Sequence, residues 1–214
     1  MCAITGSSDF EWLKTMYYRQ LDRGSTSSSI TTFLCGDSLT TVRQKGILDI
    51  NSVKPKEYRN FYYITHSQAP TGKTSEENIH PSEIPFMWGG SSYMWHNGII
   101  TQQSLEKNNN RLGLSCSWDT ELIHHMLMKY DDLSNLDGSF ACIFISPEKD
   151  MFVFRNDQAP LYFDNNMSMA SVKFENSFEL PPNGLFYVNL YRKELVHTGT
   201  NFKSSQQLYY FGDE

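Results

Sequence analysis

The chain begins Met1-Cys-Ala-Ile-Thr-Gly6, which places a thiol directly after the first methionine. We expect Met1 to be removed because Cys2 is small, and removal leaves Cys2 with a free α-amino group. That amine has an unperturbed pKa of about 8, so it can accept the thiol proton near neutral pH. Many proteins carry a small residue at position 2, so the rest of the chain decides whether this cysteine is catalytic.

The bulk composition indicates one globular domain over residues 1–214. Of the 214 residues, 39% are hydrophobic and 20% are charged, which suits a sizeable core. The net charge is −6 and no long basic stretch occurs, so a nucleic-acid partner is not expected. No apolar run reaches the roughly 20 residues that span a bilayer, and Asp9 and Glu11 precede any apolar stretch. We therefore expect a cytoplasmic protein without a membrane segment or a secretory signal.

The cysteines do not form a C-x-x-C pair, which makes a zinc or thioredoxin-like motif improbable. Cys35 and Cys142 lie among apolar residues and are predicted to be small core residues. This usage is typical of a reducing compartment, in which Cys2 stays a thiol. No metal site is predicted, including at the adjacent His124 and His125.

The hydrophobic pattern predicts few helices and many paired strands. We expect helices at residues 9–20 and 119–129, a loop at 71–85, and a strand at 91–95 that ends in His96-Asn97-Gly98. This pattern is typical of an α+β protein in which helices cover antiparallel sheets. The other predicted strands are residues 30–35, 38–43, 61–65, 140–146, 151–155, 161–163, 167–171, 184–190 and 194–197.

Four short blocks, in this order along the chain, carry a family resemblance. They are Met1-Cys-Ala-Ile-Thr-Gly6, Thr65-His-Ser-Gln-Ala-Pro-Thr71 with Asn78-Ile-His-Pro81 after it, Trp95-His-Asn-Gly-Ile-Ile100, and Trp118-Asp-Thr-Glu-Leu-Ile123. Together they resemble the class II glutamine amidotransferases, which are the N-terminal-nucleophile (Ntn) type. The resemblance covers nearly the whole chain. It implies a single type-2 amidotransferase domain with a four-layer αββα sandwich and no cofactor.

The resemblance also implies a reaction. Cys2 would attack the side-chain amide of glutamine, form a γ-glutamyl thioester and release ammonia, after which water would release glutamate. The side-chain amide of Asn97 and the backbone N–H of Gly98 would stabilise the oxyanion. A simpler alternative for Asn97 and Gly98 is a turn without a catalytic role.

Three further residues have implied substrate contacts. Asp119 would hold the α-ammonium group of glutamine, Thr71 would lie near its carboxylate, and Arg23 would lie near the nucleophile. The respective alternatives are a helix N-cap, a loop hydroxyl and a surface charge.

The chain departs from the family pattern at two positions. Ala3 replaces the glycine that follows the nucleophile, which we expect to crowd the backbone near Cys2. Gln68 stands where the family has an arginine that clamps the substrate carboxylate, and a neutral amide binds a carboxylate less strongly. Lys73 and Arg23 are candidates to compensate for the missing charge. Gln68 also favours a second possibility, an Ntn hydrolase that acts on another γ-glutamyl amide.

Two expectations concern the protein's context. Family members commonly continue into a synthase domain that uses the ammonia, so a chain ending at Glu214 implies a separate synthase partner. A third possibility is a binding or regulatory module that keeps the fold without the chemistry. Retention of Met1 would favour that module because Cys2 would then lack a free amine.

Overall fold

The computed structural model describes residues 2–34, 36–56, 61–69, 78–87, 89–130 and 133–203. The helices are α1 Phe10–Arg19, α2 Gln102–Leu112 and α3 Asp119–Tyr130. The strands are β1 Ala3–Ser7, β2 Ser27–Leu34, β3 Ser38–Lys45, β4 Phe61–Gln68, β5 Ser82–Pro85, β6 Ser91–Ile100, β7 Gly138–Ile145, β8 Met151–Arg155, β9 Tyr162–Phe163, β10 Met169–Ala170, β11 Phe178–Glu179, β12 Gly184–Asn189 and β13 Glu194–Asn201.

The described strands form two antiparallel sheets. The first has the order β11-β9-β10-β1-β4-β2-β3, and the second has the order β13-β12-β8-β7-β6-β5. Strand β1 lies inside the first sheet, where Ile4 pairs with His66 of β4 and Thr5 pairs with Ala170 of β10. The N-terminal strand is therefore hydrogen-bonded on both edges, which holds Cys2 at a fixed position.

The main core lies between the two sheets. Ile4 and Ile64 of the first sheet pack in one buried cluster with Trp95, Ile143 and Val153 of the second. At about 25 cal/mol per Å² of buried apolar surface, this cluster supplies much of the driving force for stacking the sheets. The two faces pack as in other sandwiches, with alternate side chains pointing inward.

Helices cover both outer faces. On α1, Leu13 and Tyr17 pack against Ile30 and Tyr63 of the first sheet. On α3, residues such as Met126 join a cluster with apolar residues of the second sheet. The layers run helix, sheet, sheet, helix, which confirms the predicted four-layer αββα sandwich.

Helix α1 begins and ends near the predicted residues for a local reason. The Asp9 carboxylate accepts hydrogen bonds from the backbone N–H groups of Glu11 and Trp12, both at 3.0 Å. These bonds satisfy two of the free donors at the helix N-terminus. Every third or fourth residue from Phe10 to Tyr17 is buried, as the apolar spacing predicts.

The structure corrects the prediction around residue 97. The alternative of a turn at Asn97 and Gly98 is wrong, because β6 continues through both residues to Ile100 and pairs with β7 from Tyr93 to Ile100. Gly98 has a φ of 151°, which an L-residue side chain rarely adopts. The positive φ of Gly98 lets the strand continue where the sequence suggested that it stops.

Two further elements differ from the prediction. Residues 82–85 form β5 at the edge of the second sheet, although they were predicted to lie in a loop. Helix α2 was not predicted because its residues are mostly polar, yet it is capped at both ends. Thr101 accepts a hydrogen bond from Ser104 N at 3.2 Å, and Gly113 ends the helix with a φ of 63°. Among the described helices, none is long and apolar enough to cross a membrane.

Candidate active site

The thiol of Cys2 lies at the start of β1 in a buried position. Its Sγ donates a hydrogen bond to the carbonyl oxygen of Ala69 at 3.6 Å, and 6% of the residue is exposed. Arg23 Nε donates to the carbonyl oxygen of Cys2 at 3.3 Å. Arg23 therefore holds the backbone of the candidate nucleophile, which goes beyond the surface charge considered from the sequence.

Burial raises the pKa of the Cys2 thiol to about 11, and the nearby Asp119 carboxylate adds to the rise. With Met1 attached, the thiol is therefore protonated at neutral pH, and a base must remove its proton before it can attack. Asp119 therefore acts electrostatically on Cys2 although 117 positions separate the two residues in sequence.

Asn97 and Gly98 lie next to each other on β6. Asn97 is 2% exposed, and among the described residues its Oδ1 atom finds no hydrogen-bond partner. A Cβ atom at Gly98 would collide with the carbonyl group of Ser139 on β7. Only glycine fits this position, so the backbone of β6 approaches β7 more closely here than side chains would allow.

The Asp119 carboxylate is fixed by the ends of two elements. Its Oδ2 accepts a hydrogen bond from Ile100 N at 3.3 Å, and its Oδ1 accepts one from Thr120 N at 2.8 Å. The same Oδ2 lies 3.7 Å from Nδ1 of His96. Asp119 thus joins the end of β6 to the first turn of α3, and a fifth of its side chain stays exposed.

Three buried histidines, His66, His80 and His96, lie close together next to Asp119. His66 donates from Nε2 to the carbonyl oxygen of His96 at 3.0 Å, which ties β4 of one sheet to β6 of the other. The rings of His66 and His80 stack with centroids 3.7 Å apart. The Thr120 hydroxyl lies 3.0 Å from His80 Nε2 and 3.2 Å from His96 Nδ1. Thr120 can therefore accept from one ring while it donates to the other.

His66 and His80 are poor bases. Burial lowers the pKa of His66 to about 3 and lowers the pKa of His80 well below its usual value. Both rings are therefore neutral at pH 7 and have little tendency to take a proton from a thiol whose pKa is about 11. Their hydrogen bonds and stacking indicate a structural role.

Gln68 is buried at the end of β4 and has a partner of its own. Ser27 Oγ donates to Gln68 Oε1 at 2.8 Å, so the side-chain amide is oriented by β2. The segment that carries Arg23 also reaches this strand end, because a Cβ atom at Gly24 would lie 2.5 Å from the carbonyl carbon of Gln68. Ala3, the other departure from the family pattern, is buried in β1 and pairs with Ser67.

The structure therefore groups several of the predicted residues. Arg23 bonds the backbone of Cys2, Asp119 acts electrostatically on its thiol, and Gln68 lies one residue before Ala69, the partner of that thiol. Thr71, Lys73, Met1 and Cys35 lie outside the described residues. Ser27 and Thr120 were missed as site residues. The available signal was their position in sequence. Ser27 lies three residues after Gly24, and Thr120 lies within the fourth block.

Comparisons with known proteins agree with this fold. No family model and no curated protein matches the chain. Among solved structures, it resembles the glutamine phosphoribosylpyrophosphate amidotransferase of B. subtilis, with a TM-score of 0.65 and 18% identity over 88% of this chain and 47% of that one. It also resembles a structure described as the allosteric regulatory enzyme of purine biosynthesis, with a TM-score of 0.66 and 19% identity over 92% of this chain and 48% of that one.

The chain spans about half the length of these two proteins. At identities below 20%, the likeness concerns the arrangement of strands and helices. The chain therefore shares the fold of these two proteins, in agreement with the αββα sandwich that its four sequence blocks predict.

Proposed function

We propose that this chain hydrolyses the side-chain amide of glutamine through Cys2 after removal of Met1. The thiolate attacks the amide carbon, the C–N bond breaks and ammonia leaves, which gives a γ-glutamyl thioester. Water then attacks the thioester, glutamate leaves and the thiol is restored. The proposal covers glutaminase chemistry, and the acceptor of the ammonia is a separate matter.

The observation that carries the proposal is the setting of the Cys2 thiol. It lies directly before β1, a strand paired on both edges; its own carbonyl is held by Arg23, and Asp119 acts on it electrostatically. A carboxylate near the nucleophile is a suitable partner for the α-ammonium group of an amino-acid substrate. The geometry therefore suits a small zwitterionic amide.

The α-amine of Cys2 is the base that best fits the site. The thiol needs a base because burial keeps it protonated, and neither His66 nor His80 suits this task. An α-amine with a pKa of about 8 accepts a proton near neutral pH and is attached to the same residue. Its positive form would also lower the thiol pKa through direct charge attraction.

Asn97 and Gly98 are proposed as the oxyanion donors. Asn97 has a buried amide whose oxygen lacks a partner among the described residues, and its Nδ2 would be the first donor. Gly98 brings the backbone close to its neighbour strand, and its N–H adds a second donor beside the amide. Such donors stabilise the tetrahedral oxyanion at little reorganisation cost.

The first test is intact mass spectrometry of the purified chain, followed by a glutaminase assay. We expect a chain without Met1, glutamate and ammonia formed in equal amounts, and loss of both in a Cys2→Ala variant. A diazo-ketone analogue of glutamine should add its mass to the N-terminal peptide and to no other.

The matched control is a Cys142→Ala variant, because Cys142 is also a buried free thiol. It should keep the activity and the N-terminal adduct. A processed wild-type chain that forms neither glutamate nor adduct would refute glutamine as the substrate. A chain that retains Met1 would instead favour the binding or regulatory module.

Gln68 favours a second candidate substrate class. Its amide is neutral and Ser27 orients it through Oε1, so it offers no positive charge to a substrate carboxylate. A γ-glutamyl compound whose α-carboxylate is not clamped by a cation would suit such a site. We would compare kcat/KM for glutamine with that for γ-glutamyl peptides; a clear preference for glutamine would remove this candidate.

A separate synthase that uses the ammonia remains a prediction. It would be tested by affinity purification of the tagged chain from its native cells, followed by an amination assay with glutamine as the nitrogen donor. Amination that depends on Cys2 would support the partner, whereas amination that proceeds equally with the Cys2→Ala variant would contradict it.

A further inference from the structure

Three side chains of types that can bind a metal ion converge at the start of α3. Cys116, Glu121 and His125 each place one ligand atom so that all three atoms lie within 4.8 Å of one another. Cys116 is buried just before the helix, and the other two are half-buried. Glu121 and His125 are four residues apart, which puts both on one face of the helix.

Neighbouring side chains hold two of these residues in place. Asn109 clamps the backbone of Cys116 from both sides: its Nδ2 donates to the Cys116 carbonyl at 2.9 Å, and its Oδ1 accepts from Cys116 N at 3.1 Å. Ser117 donates to Glu121 Oε2 from its backbone N–H at 2.7 Å and from its hydroxyl at 3.2 Å. Such supporting hydrogen bonds orient ligands in metal sites.

The alternative explanation is local structure alone. The bonds from Ser117 to Glu121 resemble a capping interaction, and Cys116 packs within an apolar cluster. Capping accounts for Glu121, but it does not account for the approach of His125 and the Cys116 thiol to the same point. The adjacent His124 points elsewhere, because its ring bonds the hydroxyl groups of Ser82 and Ser92.

The donor set and its surroundings indicate which ion would fit. A thiolate, an imidazole and a carboxylate together favour zinc, with bond lengths of about 2.0–2.3 Å. In a tetrahedral site the ligand atoms are roughly 3.5 Å apart, so these three would close in by about 1 Å. Glu121 and His125 also line a cavity of about 400 Å³ between α3 and β5, which leaves space for a fourth ligand.

We propose that Cys116, Glu121 and His125 bind a zinc ion whose fourth position opens onto this cavity. The ion would fix the segment before α3 to the second turn of the helix. No metal site was expected from the sequence, because Cys116 lies outside any C-x-x-C pair. The spacing of Glu121 and His125 was the available signal.

The test uses the full chain carrying Cys2→Ser, which removes the N-terminal thiol as a competing ligand. Zinc content after dialysis should be about one per chain. X-ray absorption of the zinc-loaded protein should show one sulfur at about 2.3 Å and nitrogen or oxygen in the other positions. Cobalt in place of zinc should give a thiolate-to-metal charge-transfer band.

Variants then assign the ligands. Cys116→Ser should abolish the charge-transfer band, and His125→Gln should weaken zinc binding at least about 100-fold. His197→Gln is the matched control because His197 is exposed, and it should bind zinc as the parent does. A folded parent that binds no zinc, zinc without a sulfur ligand, or unchanged affinity in His125→Gln would each overturn the proposal. The absorption experiment needs no variant of the site, so it decides even where Cys116→Ser fails to fold.

Discussion

The buried ring of His66 should make the protein sensitive to acid. Burial lowers its pKa to about 3 in the folded state, whereas an unfolded histidine titrates near ~6.5. As the pH falls below ~6.5, the unfolded chain binds this proton and the folded chain does not. The stabilisation from the neutral ring is therefore complete above ~6.5 and is lost as the pH falls toward 3.

The size of the effect follows from the shift. Each pH unit inside this window costs about 1.4 kcal/mol for one such group. Between pH 7.5 and pH 5, His66 should remove about 2 kcal/mol from the free energy of unfolding. That is a large part of the roughly 5–15 kcal/mol that stabilises most domains.

The variant for this test is His66→Gln. A glutamine amide can still donate toward the carbonyl of His96, as His66 Nε2 does at 3.0 Å, but it does not titrate. Loss of stacking on His80 should lower the stability of the variant by a constant amount. Its loss of stability between pH 7.5 and pH 5 should be about 2 kcal/mol smaller than that of the wild type.

The assay is urea unfolding followed by circular dichroism at a series of pH values. With a slope of about 2 kcal/mol per M, the difference corresponds to about 1 M in the urea midpoint at pH 5. His197→Gln serves as the control because His197 is exposed. Parallel pH dependence in the wild type and His66→Gln would refute a neutral, buried His66.

Three other predictions concern the candidate site. Asn97→Ala should lower kcat for glutamine about 10²–10³-fold while the free energy of unfolding stays equal or rises, because Asn97 Oδ1 has no partner among the described residues; a parallel loss of stability would contradict this. Gly98→Ala should lower the free energy of unfolding by at least about 2 kcal/mol more than Gly113→Ala, since only the first Cβ collides with neighbouring backbone; calorimetry showing equal losses would argue against it. A residue inserted after Met1 that blocks its removal should slow alkylation of Cys2 by iodoacetamide at pH 7.5 at least about tenfold, and equal rates in the processed and blocked chains would exclude activation by the amine.

The sequence predicted the parts of the fold that depend on local pattern. Helix α1 has a capping aspartate and a regular apolar face, so its limits were correct to within one residue. Strands β2 and β3 correspond to the predicted strands 30–35 and 38–43, which are rich in β-branched residues. These features need no knowledge of distant contacts.

Other features depend on partners that are distant in the chain. The sequence Asn97-Gly98 favours a turn when read alone, but β7 pairs with β6 across both residues and extends the strand. In the same way, Ser27 becomes a site residue only because β2 lies beside β4 and reaches Gln68. Neither contact can be predicted from the local propensity of the residues involved.

The charges around Cys2 suggest why the site would depend on processing of the N-terminus. The thiol is protonated because it is buried, and Asp119 opposes its ionisation further. His66 and His80 are neutral at neutral pH because burial lowers their pKa values, so they neither attract the thiolate nor accept its proton. Arg23 is occupied with the carbonyl of Cys2 through Nε. Removal of Met1 would add one positive, titratable group directly to the nucleophile, and that addition would turn a buried, unreactive thiol into a reactive one.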